Sequence, residues 1–255
     1  MWAVRSGQRT PEFWGRRVKS LIMAKNIDKT HVFRGFFGKK REPALCGVNL
    51  EIGVGEWVVL AGKSGCGKTT LARILAGLDE ADSGEIVLDG SVATAEQLRG
   101  RVCWIPQDPG RSLNPSFTAL EAISEPAEIR KLPVERVYAA AERAEFDESL
   151  LSRRTSELSG GQKARAAIAR ALTVEPAVLI LDESLVALDA ELQEQILLTL
   201  SELDEIACLF IAHDIALLEE SGSRILLMNE GKMAAEDSAA WAEWRAATPA
   251  WKGRE

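Results

Sequence analysis

The octapeptide Gly62-Lys63-Ser64-Gly65-Cys66-Gly67-Lys68-Thr69 limits what this chain can fold into more than any other stretch of it. It has the form GxxxxGK[ST], and its setting matters more than its letters. Trp57-Val58-Val59-Leu60 is a continuous apolar run, as a buried strand requires, and leads straight into it. After it, Leu71, Ile74, Leu75 and Leu78 recur at helical spacing, with Gly77 near the stop. A glycine-rich turn with no further purpose needs neither neighbour. Between a strand and a helix, the N–H groups of such a loop wrap a phosphate. The stretch therefore predicts a nucleotide site, with Lys68 reaching the β- and γ-phosphates and Thr69 holding Mg²⁺.

The rest of the chain supplies the sheet that such a loop needs. Residues 27–60 read as short strands, including the alternating Val48-Asn49-Leu50-Glu51-Ile52, and Ile86 to Leu88 is bracketed by Ser83-Gly84 and Asp89-Gly90. The apolar runs 177–181, 208–212 and 225–228 alternate with helical stretches, including one at about 190–203. That alternation predicts right-handed βαβ units and a mostly parallel α/β sheet with antiparallel decoration. Residues 117–158, rich in Ala and Glu, read as helical with breaks at Pro126 and Pro133. An α-helical subdomain at about 108–165 is thus inserted into the body.

Parallel sheets collect functional residues at the carboxyl ends of their strands. Asp182 and Glu183 follow the run 177–181 directly. An aspartate there can take Mg²⁺ through its water shell, and the glutamate can orient or deprotonate the attacking water. Capping the next helix would not need both acids beside a phosphate loop. His213 ends the run 208–212, at the same edge, where it can contact a γ-phosphate. Gln107 follows Val102-Cys103-Trp104-Ile105; its neutral amide can ligate Mg²⁺ or the attacking water and then withdraw, sensing the nucleotide.

A second anion site stands at Leu158-Ser159-Gly160-Gly161-Gln162, which opens a helix over 162–172 with Ala164, Ala167, Ile168, Ala171 and Leu172 on one face. Free N–H groups at a helix start attract anions. This site follows the helical insert instead of a strand, so it lies away from the loop at 62–69. Two copies packed head to tail would let each helix start cover the nucleotide held by the other.

Bulk properties narrow the remaining classes. Across 255 residues, 46% are hydrophobic and 27% charged, ordinary for a globular protein. The net charge is −7, although residues 1–25 hold six basic side chains against Glu12 alone. An acidic body argues against sequence-independent nucleic-acid binding. Cys46, Cys66, Cys103 and Cys208 are scattered without metal-ligand spacing. No run approaches the roughly eighteen apolar residues of a membrane span, so a membrane role would borrow its spanning part from another chain. Residues 1–22 lack an apolar core of signal-peptide type, and Met23 is an alternative start. The expected division is a basic, flexible extension over 1–26, one catalytic domain over 27–235 and a short tail over 236–255.

GKSGCGKT, Gln107, LSGGQ at 158–162, LILDE at 179–183, ALD at 187–189 and His213, in that order and spacing, resemble the ATP-binding subunit of an ABC transporter over about residues 27–235. LSGGQ, matched at all five positions, is the most family-specific piece. The resemblance implies a P-loop NTPase core with an inserted helical subdomain, an ATP-sandwich dimer and docking on transmembrane subunits near the Gln107 loop. Position by position, it implies that Gly62, Lys63, Ser64, Gly65, Cys66, Gly67, Lys68, Thr69 and Thr70 cradle ATP, with Thr69, Gln107 and Asp182 supporting Mg²⁺. Glu183 is the implied general base, and His213 the implied γ-phosphate contact. Ser159, Gly160, Gly161 and Gln162 act on the partner's nucleotide, and Asp189 signals between sites. For adenine stacking Phe33 is the choice, with Phe36 next; a place in the core is the alternative for a lone Phe.

QDPGRSLNP at 107–115 is similar to the peptide/nickel importer subfamily. GKSGCGKTTLARILAGL, VEPAVLILDES and CLFIAHD resemble its shorter members, such as the second ATPase of nickel and metallophore importers. Those members imply a heterodimer with a second ABC ATPase, two permease subunits and, indirectly, an extracytoplasmic binding protein, at the cytoplasmic face of the bacterial inner membrane. Three departures stand out. DESLVALD at 182–189 lacks the usual Pro-Thr-Ser, yet keeps its acids. Lys163-Ala164-Arg165 replaces Arg-Gln-Arg, keeping Arg165. The long carboxyl extension with a cysteine cluster is absent. A different class also fits: an ABC ATPase accessory to a cytosolic enzyme complex, of the carbon–phosphorus lyase kind. Membrane partnership separates the two.

Overall fold

A computed structural model describes residues 19–35, 38–185, 188, 190–212 and 223–247. In chain order the strands are β1 (Ser20–Gly35), β2 (Gly38–Gly53), β3 (Trp57–Ala61), β4 (Ser83–Leu88), β5 (Ser91–Val92), β6 (Val102–Ile105), β7 (Val178–Asp182), β8 (Ala207–Ile211), β9 (Arg224–Asn229) and β10 (Lys232–Met233). The helices are α1 (Lys68–Leu75), α2 (Ala95–Arg101), α3 (Ala119–Arg130), α4 (Glu135–Arg143), α5 (Gly160–Leu172), α6 (Ala190–Ser201) and α7 (Ala239–Ala247). The central sheet has the order β10-β9-β3-β8-β7-β6, beside an antiparallel sheet β2-β1-β4-β5. From β9 to β6 every central pair is parallel, so β3, β8, β7 and β6 deliver their carboxyl ends side by side.

Strands β3, β7 and β8 are buried at every position, which is why they read as unbroken apolar runs. Helix α1 fills the space between the two sheets. Its Leu71, Ile74 and Leu75 share a core with Ile22, Val48 and Ile52 of the hairpin and with Leu60, Ile180 and Leu209 of the central sheet. The other face receives the helical insert and α6, where Ile123, Val137, Ile168 and Ile196 meet Leu179, Leu181 and Phe210. Both faces are thereby covered.

The structure departs from the sequence reading in three places. The expected short strands are one hairpin of two 16-residue strands. Register shifts between Ala24 and Ile27 and between Ile27 and Thr30 break its two-residue alternation, which hid its length. The hairpin also opens at Ser20, inside the span expected as an extension, with Leu21, Ile22 and Ala24 buried. Finally, α3 runs through Pro126 instead of breaking there. A capping box between Thr118 and Glu121 fixes its start, and buried Ile123 and Ala127 hold it against the core on either side of the proline. Pro133 does lie between α3 and α4. In the tail, α7 is docked: Trp241 is buried, donates from its indole to the Ala234 carbonyl at 3.2 Å and meets Trp244 edge-on.

Candidate functional site

The loop between β3 and α1 is shaped by what its glycines must avoid. A Cβ on Gly62 would stand 2.3 Å from the Met228 carbonyl oxygen, and one on Gly67, at φ +109°, 2.4 Å from that of Ala44. Lys68 is only 5% exposed, and its ammonium donates to the Gly62 and Lys63 carbonyls at 2.7 and 3.0 Å. The loop therefore curls round its own lysine, with Ser64, Gly65 and Thr69 on the exposed side. Two carbonyls take two of the ammonium's three donors and leave its charge unmet, so an anion remains favoured in front of it. Cys66 is buried beneath, and that burial pushes its thiol above the usual range. Lys63 points outward and pairs with Glu243 of α7 at 2.8 Å.

Asp182 ends β7 and is 4% exposed. Burial pushes its carboxyl above the usual carboxylate range; the Thr69 hydroxyl and the Trp104 indole facing it pull the other way, the Glu183 charge adds to the rise, and Lys68 offsets it. The Trp104 indole N–H is buried and faces Asp182 without closing a full hydrogen bond. Glu183 turns the chain out of the sheet at φ +51°, fixed by its N–H donating to the Ile211 carbonyl at 2.9 Å. A non-glycine residue held in that region costs about 1–3 kcal/mol. Gln107, just past β6, donates from Nε2 to Glu183 Oε2 at 3.1 Å. Lys68, Thr69, Gln107, Asp182 and Glu183 thus meet at one sheet edge, as the strand order requires.

The second glycine pair lies at the start of α5. Ser159 Oγ accepts the Gln162 N–H at 3.2 Å, and Gln162 Oε1 accepts the Ser159 N–H at 2.9 Å. That capping box leaves the Gly160 and Gly161 N–H groups as the helix's first-turn donors. The two glycines differ in kind. A Cβ on Gly161 would lie 2.1 Å from Leu192 Cδ2, whereas one on Gly160 would meet only Leu188 Cδ2, at 4.0 Å. Packing within the chain accounts for Gly161 and not for Gly160, which is exposed beside Ser159.

Phe33 lies on β1, opposite Lys40 of β2, and is 52% exposed, which places it outside the core. His31, two residues earlier on the same face, has its Nε2 3.2 Å from Thr70 Oγ1 and its ring 6.3 Å from that of Phe33. Sequence reasoning missed His31; strand alternation from Phe33 was the signal that could have found it. His213, Asp189 and Phe36 lie outside the described residues.

Among the described residues no group of three or more His, Cys, Asp or Glu side chains is placed to share a metal. The Thr69 hydroxyl and the Asp182 carboxylate face each other as oxygen ligands beside the lysine loop. Oxygen donors of that kind suit a hard cation that arrives with phosphates and keeps part of its water shell. The residues fit Mg²⁺.

A phosphate loop on the central strand of a parallel sheet, with an acid pair and a glutamine gathered at the same edge, defines a P-loop ATPase. Residues 45–186 match the ABC transporter family, and this chain belongs to it. The nickel import ATP-binding protein NikE of Escherichia coli strain K12 is 36% identical over 229 residues, covering 84% of this chain and 85% of that one. The protein of the same name from Shigella boydii serotype 4 has the same identity and coverage. Among solved structures, the dimeric post-hydrolysis ATP-binding cassette MJ0796 bound to ADP and Pi has a TM-score of 0.72 and 29% identity, covering 84% of this chain and 97% of that one. CbiO1 from Clostridium perfringens, part of the ABC transporter complex CbiONQ, gives 0.73 and 29%, covering 85% and 88%.

Proposed function

We propose that this chain energises an ABC importer for nickel, a peptide or a metal chelate, hydrolysing ATP in a sandwich with a second ABC ATPase chain. The likeness to nickel import ATP-binding proteins over 84% of the chain carries the importer reading. The open approach to Gly160, which the chain's own packing does not need, supports the sandwich. No described helix is long and apolar enough to cross a membrane. Two permease subunits would supply the span, with an extracytoplasmic binding protein delivering the cargo, and this chain would sit at the cytoplasmic face of the bacterial inner membrane. A heterodimer fits the subfamily better than a homodimer.

In this reading the loop 62–69 and Thr70 wrap the phosphates, and Lys68 faces their charge. The His31–Phe33 face of β1 receives the base. Thr69, Asp182 and Gln107 would hold Mg²⁺, which supplies charge neutralisation on the transferring phosphoryl group. Glu183 takes a proton from the attacking water. Gln107 leaves Glu183 for the metal side as nucleotide arrives. Ser159, Gly160, Gly161 and Gln162 serve the partner's nucleotide, His213 the γ-phosphate, and Asp189 the link between sites. Affinity purification of the tagged chain from native membranes tests the importer reading. Multi-span permeases should co-purify; a soluble enzyme complex in their place would establish the accessory reading instead.

A further inference from the structure

Trp104 has no part in the chemistry described so far, yet it carries a buried polar group that the resting site leaves unsatisfied. It pairs with Ile180 in the parallel ladder of β6 and β7. Asp182, two residues beyond Ile180, shares that face of the sheet. It is the face that α1 covers: Val102, Val178 and Ile180 belong to the core α1 seals, and Trp104 packs against it. Arg73, one turn past Thr69 on α1, lays its guanidinium over the indole at 5.8 Å. The ring is therefore held between the helix that carries Thr69 and the strand that carries Asp182. Buried donors are rarely left unpaired. This one, Nε1, closes no hydrogen bond, and the acceptor before it is the Asp182 carboxylate.

We propose that Trp104 is a positioning residue for metal-dependent nucleotide binding: with Thr69 on one side of the Asp182 carboxylate, the indole N–H closes on the other and stops its rotation. Two donors on separate elements, Thr69 on α1 and Trp104 on β6, fix which carboxylate oxygen faces the cation, and a single donor does not. Partners of this kind set metal affinity without touching the metal. The inference rests on the reading of Asp182 as the acid on the metal side.

Calorimetric titration of the full chain with a non-hydrolysable ATP analogue, in Mg²⁺ and separately in EDTA, tests it. Trp104→Phe keeps an aromatic ring and removes the N–H. It should weaken binding in Mg²⁺ about tenfold, the lower end of the range for such partners, while leaving the EDTA value unchanged. An equal loss in both conditions would mark a general packing role and overturn the proposal, as would no loss in either. If the phenylalanine variant fails to fold, benzothienylalanine at position 104, an indole isostere without the N–H, must show the same contrast. Asp182→Asn separates the two layers. If it leaves the Mg²⁺ dependence intact, the reading of Asp182 is wrong; if it abolishes that dependence while the position-104 variants do not, only the proposal for Trp104 fails.

Discussion

Gly160→Ala separates what the α5 start does for its own chain from what it does for another. The added methyl would lie 4.0 Å from its nearest neighbour, Leu188 Cδ2, an ordinary contact, and Gly160 is not among the residues with positive φ. Alanine also gains up to about 1 kcal/mol over glycine in a helix, less at its first position. The monomer should thus keep its Tm or gain up to about 2–4 °C. Gly161→Ala is the counterpart. Its methyl would stand 2.1 Å from Leu192 Cδ2, and overpacking of that kind costs about 1–3 kcal/mol even after the leucine turns aside.

In the proposed sandwich, the methyl added by Gly160→Ala would stand where the partner's phosphates approach. ATPase activity at saturating nucleotide should fall about 100-fold, the scale on which a single misaligned donor acts in a closed site. Binding of a fluorescent ATP analogue to dilute monomer should not change. Scanning fluorimetry, steady-state ATPase and fluorescence titration provide the three readouts. Ser159→Ala tests the same idea less cleanly, because removing an N-cap costs about 1 kcal/mol by itself. A Gly160→Ala protein with unchanged ATPase would refute the covering role of this helix start. A fall in its Tm would refute the packing argument that distinguishes the two glycines.

Glu183→Gln should slow hydrolysis by about 10²–10⁴-fold, the usual contribution of a general base, while nucleotide binding and dimer formation persist in size-exclusion chromatography. Asp182→Asn should stabilise the nucleotide-free chain in thermal melts at neutral pH. Burial raises the Asp182 pKa in the folded state, so folding favours the protonated acid. Ionising it withdraws stability as pH rises from the ordinary aspartate range through the raised value, and that stability stays lost above it. The gain from asparagine should therefore be full at pH 7 and vanish below the ordinary aspartate range.

The parts of this molecule legible in sequence are those whose chemistry is local. The loop at 62–69, the runs that became β3, β7 and β8, and the glycine-bearing helix start at 158–162 each announce themselves within a dozen residues. What escaped depends on distant pairing. The bulged hairpin has no clean period of its own, and α3 keeps Pro126 because burial on either side outweighs one lost hydrogen bond. Strand alternation could have set His31 beside Phe33, but its neighbour Thr70 comes from a distant helix. Trp104 read as one apolar residue in a strand until the parallel register set it alongside Ile180, two residues short of Asp182.

The resting site also explains why one chain alone should be a poor enzyme. Several groups assigned to the nucleotide already have partners: Lys68 donates to the Gly62 and Lys63 carbonyls, Gln107 donates to Glu183, and Ser159 Oγ accepts the Gln162 N–H. Phosphate binding exchanges these bonds for new ones. A typical exchanged hydrogen bond nets only about 0.5–1.5 kcal/mol, so the neutral swaps within the chain are close to even, and Lys68 alone gains a counter-charge. The Gly160 N–H is different, since it stands on an exposed first turn of α5 that the chain's own packing leaves uncovered. A partner's phosphate there meets a donor facing solvent instead of a neighbour to be displaced, and closing the seam removes the water that screened it. In the proposed sandwich, the second chain therefore adds a drive that the neutral exchanges within one chain lack.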